Sequence, residues 1–431
     1  MPKATESVPR ALTRESRPVA RGRHPSGGGA SAPRVAWLLG PALVAGVAYL
    51  DPGNVASNMT AGAQYGYLLV WVVVLANLIA WLVQYLSAKL GVVTGQSLPE
   101  LLGQRIRRPW ARRLYWVQAE LVAVATDVAE VIGGAVALQL LFGLPLVWGG
   151  IITGTVSLLL LVLHSRRGPR TFEFVVIGLV AVITIGFVAG VFVAPPSADG
   201  VIGGMLPRFA DAGSVLLAAS ILGATIMPHA IYAHSALARD RFAADATPVP
   251  RLLRATRWDV SVAMLVAGAV NLCILLLAAA NLAGVAGTSS LEGAHAALSE
   301  GLGPVIATLF AVGLLASGLA STSVGAYAGA EIMHGLLHIR VPLVLRRLVS
   351  LLPALALLGA GADPTLSLVL SQVVLSFGIP FALIPLVRLT ARADVLGRHR
   401  NRPLTTVLGV LASIFLIALN GVLLVLVLTG A

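Results

Sequence analysis

The chain has 431 residues, 57% of them apolar and only 11% charged, with a mean hydropathy of +0.89 and a net charge of +12. Soluble domains carry about 25% charged residues, so these values exclude an ordinary soluble protein and point to one that lives in the bilayer. The positive balance would suit nucleic acid only if the basic residues formed a patch, and they fall instead in the gaps between apolar runs.

The first 33 residues are rich in Arg, Ser, Pro and Gly and almost lack aliphatic side chains. They cannot bury enough surface to fold, so 1–33 is expected to be a disordered tail. Eleven apolar segments follow, near 35–63, 67–93, 112–141, 145–164, 171–193, 213–238, 257–284, 304–337, 341–360, 364–390 and 403–429. A helix needs about 20 apolar residues to cross the hydrocarbon. Their continuous Leu, Val and Ala runs lack the alternation of a membrane barrel, so the expected fold is an all-α integral membrane protein with 11 transmembrane helices. A cleavable signal peptide would have a shorter basic start and a shorter apolar core than this first segment.

Of 30 lysines and arginines, 29 lie in the tail or in alternate loops, and Arg208 alone falls on the other side. Basic loops stay in the cytoplasm. The amino terminus is therefore expected inside, the carboxyl terminus outside, and the chain in the cell membrane.

Two segments are interrupted. In the first, Tyr49-Leu50-Asp51-Pro52-Gly53-Asn54 falls well inside the apolar run, and in the sixth Gly223-Ala224-Thr225-Ile226-Met227-Pro228-His229 takes a comparable place. Proline removes a backbone donor and glycine loosens the chain, so both helices should unwind there. Interrupted helices at matching places in two halves are the mark of a transporter built from inverted repeats, with its site at the breaks. Residues 34–200 would form one repeat (segments 1–5), 201–392 the other (segments 6–10), and 393–431 an added eleventh segment. A proline kink alone would be unremarkable in a membrane helix, but a carboxylate near mid-bilayer costs several kcal/mol and marks function.

The third segment carries Glu120, Asp127 and Glu130. At 100° per residue Asp127 lies about 20° from Glu120 and Glu130 about 60° beyond it, so all three share one face. Salt bridges to Arg346 and Arg347 at the start of the ninth segment are one reading of that stripe, and a proton route is the other. The seventh segment holds the single cysteine, Cys273, which excludes an internal disulfide and a cysteine-based metal site. In the eighth, Ser317, Ser321, Gly325 and Gly329 form the four-residue repeat of small side chains that lets helices approach closely. In the tenth, Ser367, Ser371, Gln372 and Ser376 precede Pro380 and Pro385, which should bend the helix, and Gln372 is the functional candidate.

The donors at the two breaks suit a dehydrated divalent cation. Asp51 offers an anionic oxygen, Asn54 an amide oxygen, Met227 a thioether sulfur, and the unwound backbone at Ala48 and Ala224 free carbonyls. Oxygen alone would also accept Mg²⁺ or Ca²⁺, whereas the soft sulfur of Met227 favours more polarisable metals such as manganese and iron. A cation arriving beside Asp51 competes with any proton held there, and Asp127 could accept that proton and pass it by Glu130, Glu120, Arg346 and Arg347 towards the cytoplasm. His229, two residues beyond Met227, could relay protons or support the site from behind, or simply bridge neighbouring helices as His234 is expected to do. Metal and protons are cargo in this reading, with the bilayer the only other partner. Neither a resident cofactor, a nucleic acid nor an obligate protein partner is expected.

Rival readings remain at this point. A magnesium carrier would need no sulfur at the site. An amino-acid symporter of the same architecture would present backbone N–H groups to a substrate carboxylate, which Asp51 would repel. A membrane zinc protease would need His-Glu-x-x-His, absent from the chain. A passive channel calls for a continuous wet path rather than two broken helices.

The pairing of Asp51-Pro52-Gly53-Asn54 with Met227-Pro228-His229 resembles the Nramp family, the natural resistance-associated macrophage proteins and their bacterial manganese-transporting relatives. The likeness runs from about Val35 into the eleventh segment and takes in Ala119-Glu120, Asp127 to Glu130, Ser371-Gln372 and the stretch from Gly318 to Gly329. It implies a LeuT-like 5+5 inverted-repeat fold with discontinuous helices 1 and 6. It also implies proton-coupled import of Mn²⁺ or Fe²⁺, with Cd²⁺, Co²⁺ and Zn²⁺ as further passengers. By that resemblance the metal would be held by Asp51, Asn54, Ala224 and Met227, joined in some states by Ala48 or Gln372. The chain departs from the family at Ala230, where asparagine is common, and at Gly318-Leu319-Ala320-Ser321, where a glycine-glutamine pair is common.

Overall fold

The residue before a proline is pushed out of the helical region and into extended backbone, and this rule sets the two places where the core helices part. A computed structural model of the protein describes residues 42, 45–46, 48–167, 169–243, 247–339 and 341–429, with the side chains of 161–176, 323 and 343 left aside. The tail over 1–33 lies outside the described residues. So do most of the first segment up to residue 47 and Arg340 of the basic loops.

The described chain is helical. A 3₁₀ turn, Ala48–Leu50, leads to Asp51 and then to α1 (Pro52–Tyr65). There follow α2 (Val70–Thr94), α3 (Leu98–Arg105), α4 (Pro109–Phe142), α5 (Leu146–Arg167), α6 (Pro169–Val193) and the short α7 (Ala198–Gly204). The second half has α8 (Ala212–Thr225), α9 (Pro228–Phe242), α10 (Val249–Asn281), α11 (Leu291–Leu302) and α12 (Pro304–Leu337). It closes with α13 (Leu343–Gly359), α14 (Pro364–Ala391), α15 (Ala393–Leu396) and α16 (Pro403–Thr429).

Among the described residues, seven helical stretches are long and apolar enough to cross a membrane, with α8 and α9 counted as one across their break. Shorter apolar stretches run over Leu146–Leu160 and Ile177–Val193. The expected first segment begins outside the described residues, and the ninth corresponds to the 17 residues of α13. The described chain thus carries a multi-pass membrane protein, while the number eleven rests on the sequence.

Packing gathers around the breaks. The half-helices α1 and α8 lie against each other and against α14, α10 covers α1, and α9 packs on α2. Beside them, α12 runs along α4, and α13 joins α4 and α5. Aliphatic side chains such as Leu78, Leu265, Leu352 and Leu411 stand exposed on the outside of this bundle, where lipid takes the place of water. At the end of the bundle that carries the basic loops, α3 starts with a capping box in which Ser97 and Glu100 exchange bonds with each other's backbone N–H. Glu100 also receives Arg239 of α9 at 2.8 Å, and Arg239 lies 3.3 Å from Glu331 of α12. One guanidinium therefore ties three helices together at that end.

Candidate metal-binding site at the two breaks

Both breaks obey the same rule. Asp51 precedes Pro52 and is extended at φ −70°, ψ 163°; Met227 precedes Pro228 and leaves the helical region at φ −29°, ψ 116°. The expected unwinding is therefore local, one or two residues wide, with Ile226 and Met227 between α8 and α9. Asp51 then caps α1: its Oδ1 accepts the N–H of Asn54 at 2.7 Å, supplying an acceptor to the positive end of the helix.

Asn54 joins the two breaks. Its Nδ2 donates to the carbonyl of Tyr49 at 2.8 Å and to that of Ala224 at 2.8 Å. Hence the Ala224 carbonyl, expected to be free, is engaged by the neighbouring candidate ligand. Gln372 of α14 reaches the other oxygen of Asp51, Nε2 to Oδ2 at 3.2 Å, so the tenth-segment residue does join the site. Ala48, Asp51, Asn54, Ala224, Met227 and Gln372 are all fully buried.

Other side chains converge here that the motifs alone did not reveal. Thr225 Oγ1 donates to Asn54 Oδ1 at 3.3 Å, Asn58 Nδ2 to the Asn54 carbonyl at 3.0 Å, and Asn271 Nδ2 to the Tyr49 carbonyl at 3.0 Å. Asn271 had a signal, being an amide deep in the apolar seventh segment; Asn58 lies one helical turn past Asn54. Buried polar atoms nearly always find a partner, yet the amide oxygens of Asn58, Asn271 and Gln372 have none. Unpaired amide oxygens near the breaks are what a cation would use. Among the described residues no cluster of three or more His, Cys, Asp or Glu side chains forms, so a metal held at the breaks would need a mixed donor set: one carboxylate, amide and peptide oxygens, and a sulfur.

Tight backbone approach fixes this geometry. A Cβ at Gly53 would occupy the side chain of Gln372, and a Cβ at Gly223 would collide with the Gln372 carbonyl and lie 2.8 Å from the Ser376 nitrogen.

The acid stripe lies alongside. Arg347 is buried and gives Nη1 to Asp127 at 2.6 Å and to Glu130 at 3.2 Å, Nη2 to Thr322 at 3.2 Å and Nε to Ser157 at 3.1 Å. Arg346 pairs with Glu120 at 2.9 Å. The expected pairing with the ninth-segment arginines is therefore present in full. The small residues of α12, expected only to let helices approach, also seat this stripe: a Cβ at Gly325 would stand 3.0 Å from Glu130 Oε1, and one at Gly329 would overlap the Arg346 guanidinium. His229 links the two regions, its Nδ1 lying 3.1 Å from Thr126 Oγ1, next to Asp127. His234 faces away from that stripe, towards Gln84, which in turn reaches the Tyr49 hydroxyl.

Two helices broken at opposed sites inside a bundle define a membrane carrier of the LeuT-like fold. The structure of MhsT bound to L-phenylalanine, 13% identical, superposes with a TM-score of 0.60 over 93% of this chain and 99% of that one. The crystal structure of the Eremococcus coleocola manganese transporter with an aromatic bis-isothiourea compound gives a TM-score of 0.79 at 33% identity, covering 90% of this chain and 85% of that one. The chain belongs to the Nramp family: the profile described as "Natural resistance-associated macrophage protein-like" matches residues 42–426. It is 61% identical over 397 residues to the divalent metal cation transporter MntH of Mycobacterium tuberculosis strain H37Rv, covering 91% of this chain and 92% of that protein. The MntH of Deinococcus radiodurans strain R1 is 48% identical over 396 residues, with 91% of this chain and 90% of the relative covered.

Proposed function

We propose that the protein is a secondary carrier, not an enzyme, that imports divalent transition-metal ions together with protons. Mn²⁺ and Fe²⁺ are its first cargo, with Cd²⁺, Co²⁺ and Zn²⁺ able to follow. The observation that carries this reading is Asp51, a fully buried carboxylate at a helix break, joined through Asn54 to the opposite break next to Met227. Asp51, Asn54, Met227 and the Ala224 carbonyl hold the ion, with Ala48 or Gln372 joining as the half-helices shift. Sulfur in that set disfavours Mg²⁺ and Ca²⁺, and relatives named for divalent metal cations and manganese support the same cargo.

Proton coupling uses the stripe. Three carboxyl groups, Glu120, Asp127 and Glu130, stand against two guanidiniums, Arg346 and Arg347. One carboxyl is in excess, and Asp127 Oδ2 and Glu130 Oε1 are buried without partners, so a proton held there neutralises the group. A proton displaced from Asp51 by the metal moves past Thr126 and His229 to this stripe and on towards the basic side of the membrane. The clustering of basic loops at that side supports a cytoplasmic amino terminus and an outer carboxyl terminus. The repeats 34–200 and 201–392 rock against each other around the breaks, and 393–431 is added to them. No resident cofactor takes part, since metal and protons are both carried.

Mn²⁺ uptake into proteoliposomes at two external pH values tests the reading, comparing the native protein with Asp51→Ala and Met227→Ala. Uptake is expected to be saturable, faster in external acid and abolished by Asp51→Ala. Met227→Ala is expected to admit Ca²⁺ and Mg²⁺ more than it harms Mn²⁺. Equal loss for all ions in Met227→Ala, or normal uptake in Asp51→Ala, would contradict the site.

A further inference from the structure

Helix α14 continues through Pro380 and Pro385. In an α-helix the N–H of residue i serves the carbonyl of residue i−4, so each proline leaves one carbonyl without its donor. For Pro380 that carbonyl belongs to Ser376, and for Pro385 to Phe381. Both are taken by side chains from other helices. Asn420 of α16 donates Nδ2 to the Ser376 carbonyl at 2.9 Å and accepts the Ser376 hydroxyl on Oδ1 at 2.8 Å. Tyr115 of α4 donates its hydroxyl to the Phe381 carbonyl.

A phenol has one hydrogen. Since Tyr115 uses it on Phe381, the Tyr232 hydroxyl 2.9 Å away must be the donor in that second pair. This connects α9, the half-helix that begins at the second break, to the second proline joint. Asn420 is the one amide side chain in α16, a mostly aliphatic helix, and it is buried. Ser376 lies one turn from Gln372, whose amide touches Asp51, and α14 presses on α8 at Gly223 beside the Ala224 carbonyl.

We propose that Asn420 and Tyr115 are positioning residues for the transport site: each replaces the donor missing at a proline of α14, and together they hold Gln372 against Asp51. The eleventh segment, outside the two repeats, thereby takes part in the carrier's work through one side chain. This rests on the reading of the breaks as a metal site. A purely structural brace would leave metal affinity alone, whereas this one sets where a ligand-bearing helix lies. An apolar cleft lined by Tyr115, Phe377, Pro380, Phe381, Ile384 and Leu424 sits at the joints, so on that side of α14 these bonds add a hold that side-chain packing leaves open, while Gly378 is pressed against Val122 on the other.

Two double-mutant cycles test the proposal on the full-length protein, because alanine at a proline position restores the missing N–H. Asn420→Ala should raise the KM for Mn²⁺ about tenfold, the size of one lost buried hydrogen bond, with the maximal rate changed less than about twofold. Adding Pro380→Ala should bring KM to within about twofold of Pro380→Ala alone. Tyr115→Phe with Pro385→Ala forms the second cycle, so that a poorly folded Asn420 variant leaves the matter decidable. Hydrogen exchange of the peptide over 372–385 is the companion measurement: faster in Asn420→Ala, and restored by Pro380→Ala. Independent, additive effects in both cycles, or an unchanged KM in both single variants, overturn the proposal. Should the native protein carry no divalent metal, the functional reading fails, and the exchange data alone decide whether the brace exists.

Discussion

The two polar regions of this bundle are built on opposite principles. At the breaks Asp51 has no arginine or lysine partner among the described residues: its two oxygens accept the Asn54 N–H and the Gln372 amide, both neutral, and Met227 lies buried at the opposite break. Along α4, Asp127 and Glu130 share one buried guanidinium, and Glu120 has its own. A carboxylate kept away from fixed cations stays available to a mobile one. A carboxylate already held by arginine cannot wrap a metal, but it can take or give up a proton with little movement. On the function proposed above the same residue type serves two cargoes, and what separates the tasks is whether the positive charge is part of the protein.

The sharpest way to break that contrast is to neutralise the unpartnered acid. Asp51→Asn keeps the shape and loses the charge, and Mn²⁺ affinity measured by calorimetry should fall by more than the roughly 10- to 100-fold typical of losing a mere supporting residue. Removing the fixed cation should act on the fold instead: Arg347→Ala leaves two buried carboxyls unpaired, which costs about 3–5 kcal/mol and should lower the Tm in detergent clearly. Replacing Arg347, Asp127 and Glu130 together by Met, Asn and Gln should recover most of that Tm while leaving transport uncoupled. Asp127→Asn alone should keep Mn²⁺ uptake measurable but flatten its rise with external acidity; a pH profile identical to the native one would erase the distinction between the two regions.

The smallest effect is expected far from both. Asp211 caps α8 and accepts the Tyr65 hydroxyl at 2.6 Å and the Ser214 N–H at 2.8 Å. These bonds hold its carboxyl below the usual carboxylate range. Its folded value lies under the unfolded one, so the stabilisation is complete above the ordinary ~3.9 and disappears as pH falls through the depressed folded value. Tyr65→Phe should therefore lower the Tm slightly at neutral pH and leave it unchanged in strong acid.

Much of this was legible in the residues. The two X-Pro steps announced both breaks because proline acts on its immediate neighbour, a local rule that needs no tertiary knowledge. The acid stripe followed from helical spacing, and Arg346 and Arg347 were its natural partners. What could not be read was which neutral groups would meet. Asn271 and Asn58 carry no charge and belong to no short motif, Thr225 stands in the second break with nothing to mark its partner, and only the packing of α10 on α1 and of α1 on α8 brings them to Asn54 and Tyr49. The free carbonyl expected at Ala224 was engaged for the same reason: a buried acceptor takes whatever donor the fold supplies. Asn420 was equally silent, since its meaning depends on a proline in another helix.

The glycines at the breaks carry a consequence for anyone seeking variants with altered ion preference. Gly53 and Gly223 each lie where a single added methyl would strike Gln372 or its backbone. A random library screened for growth on a new metal should therefore return changes at Met227 and its surroundings, while positions 53 and 223 come back unaltered whichever ion is offered.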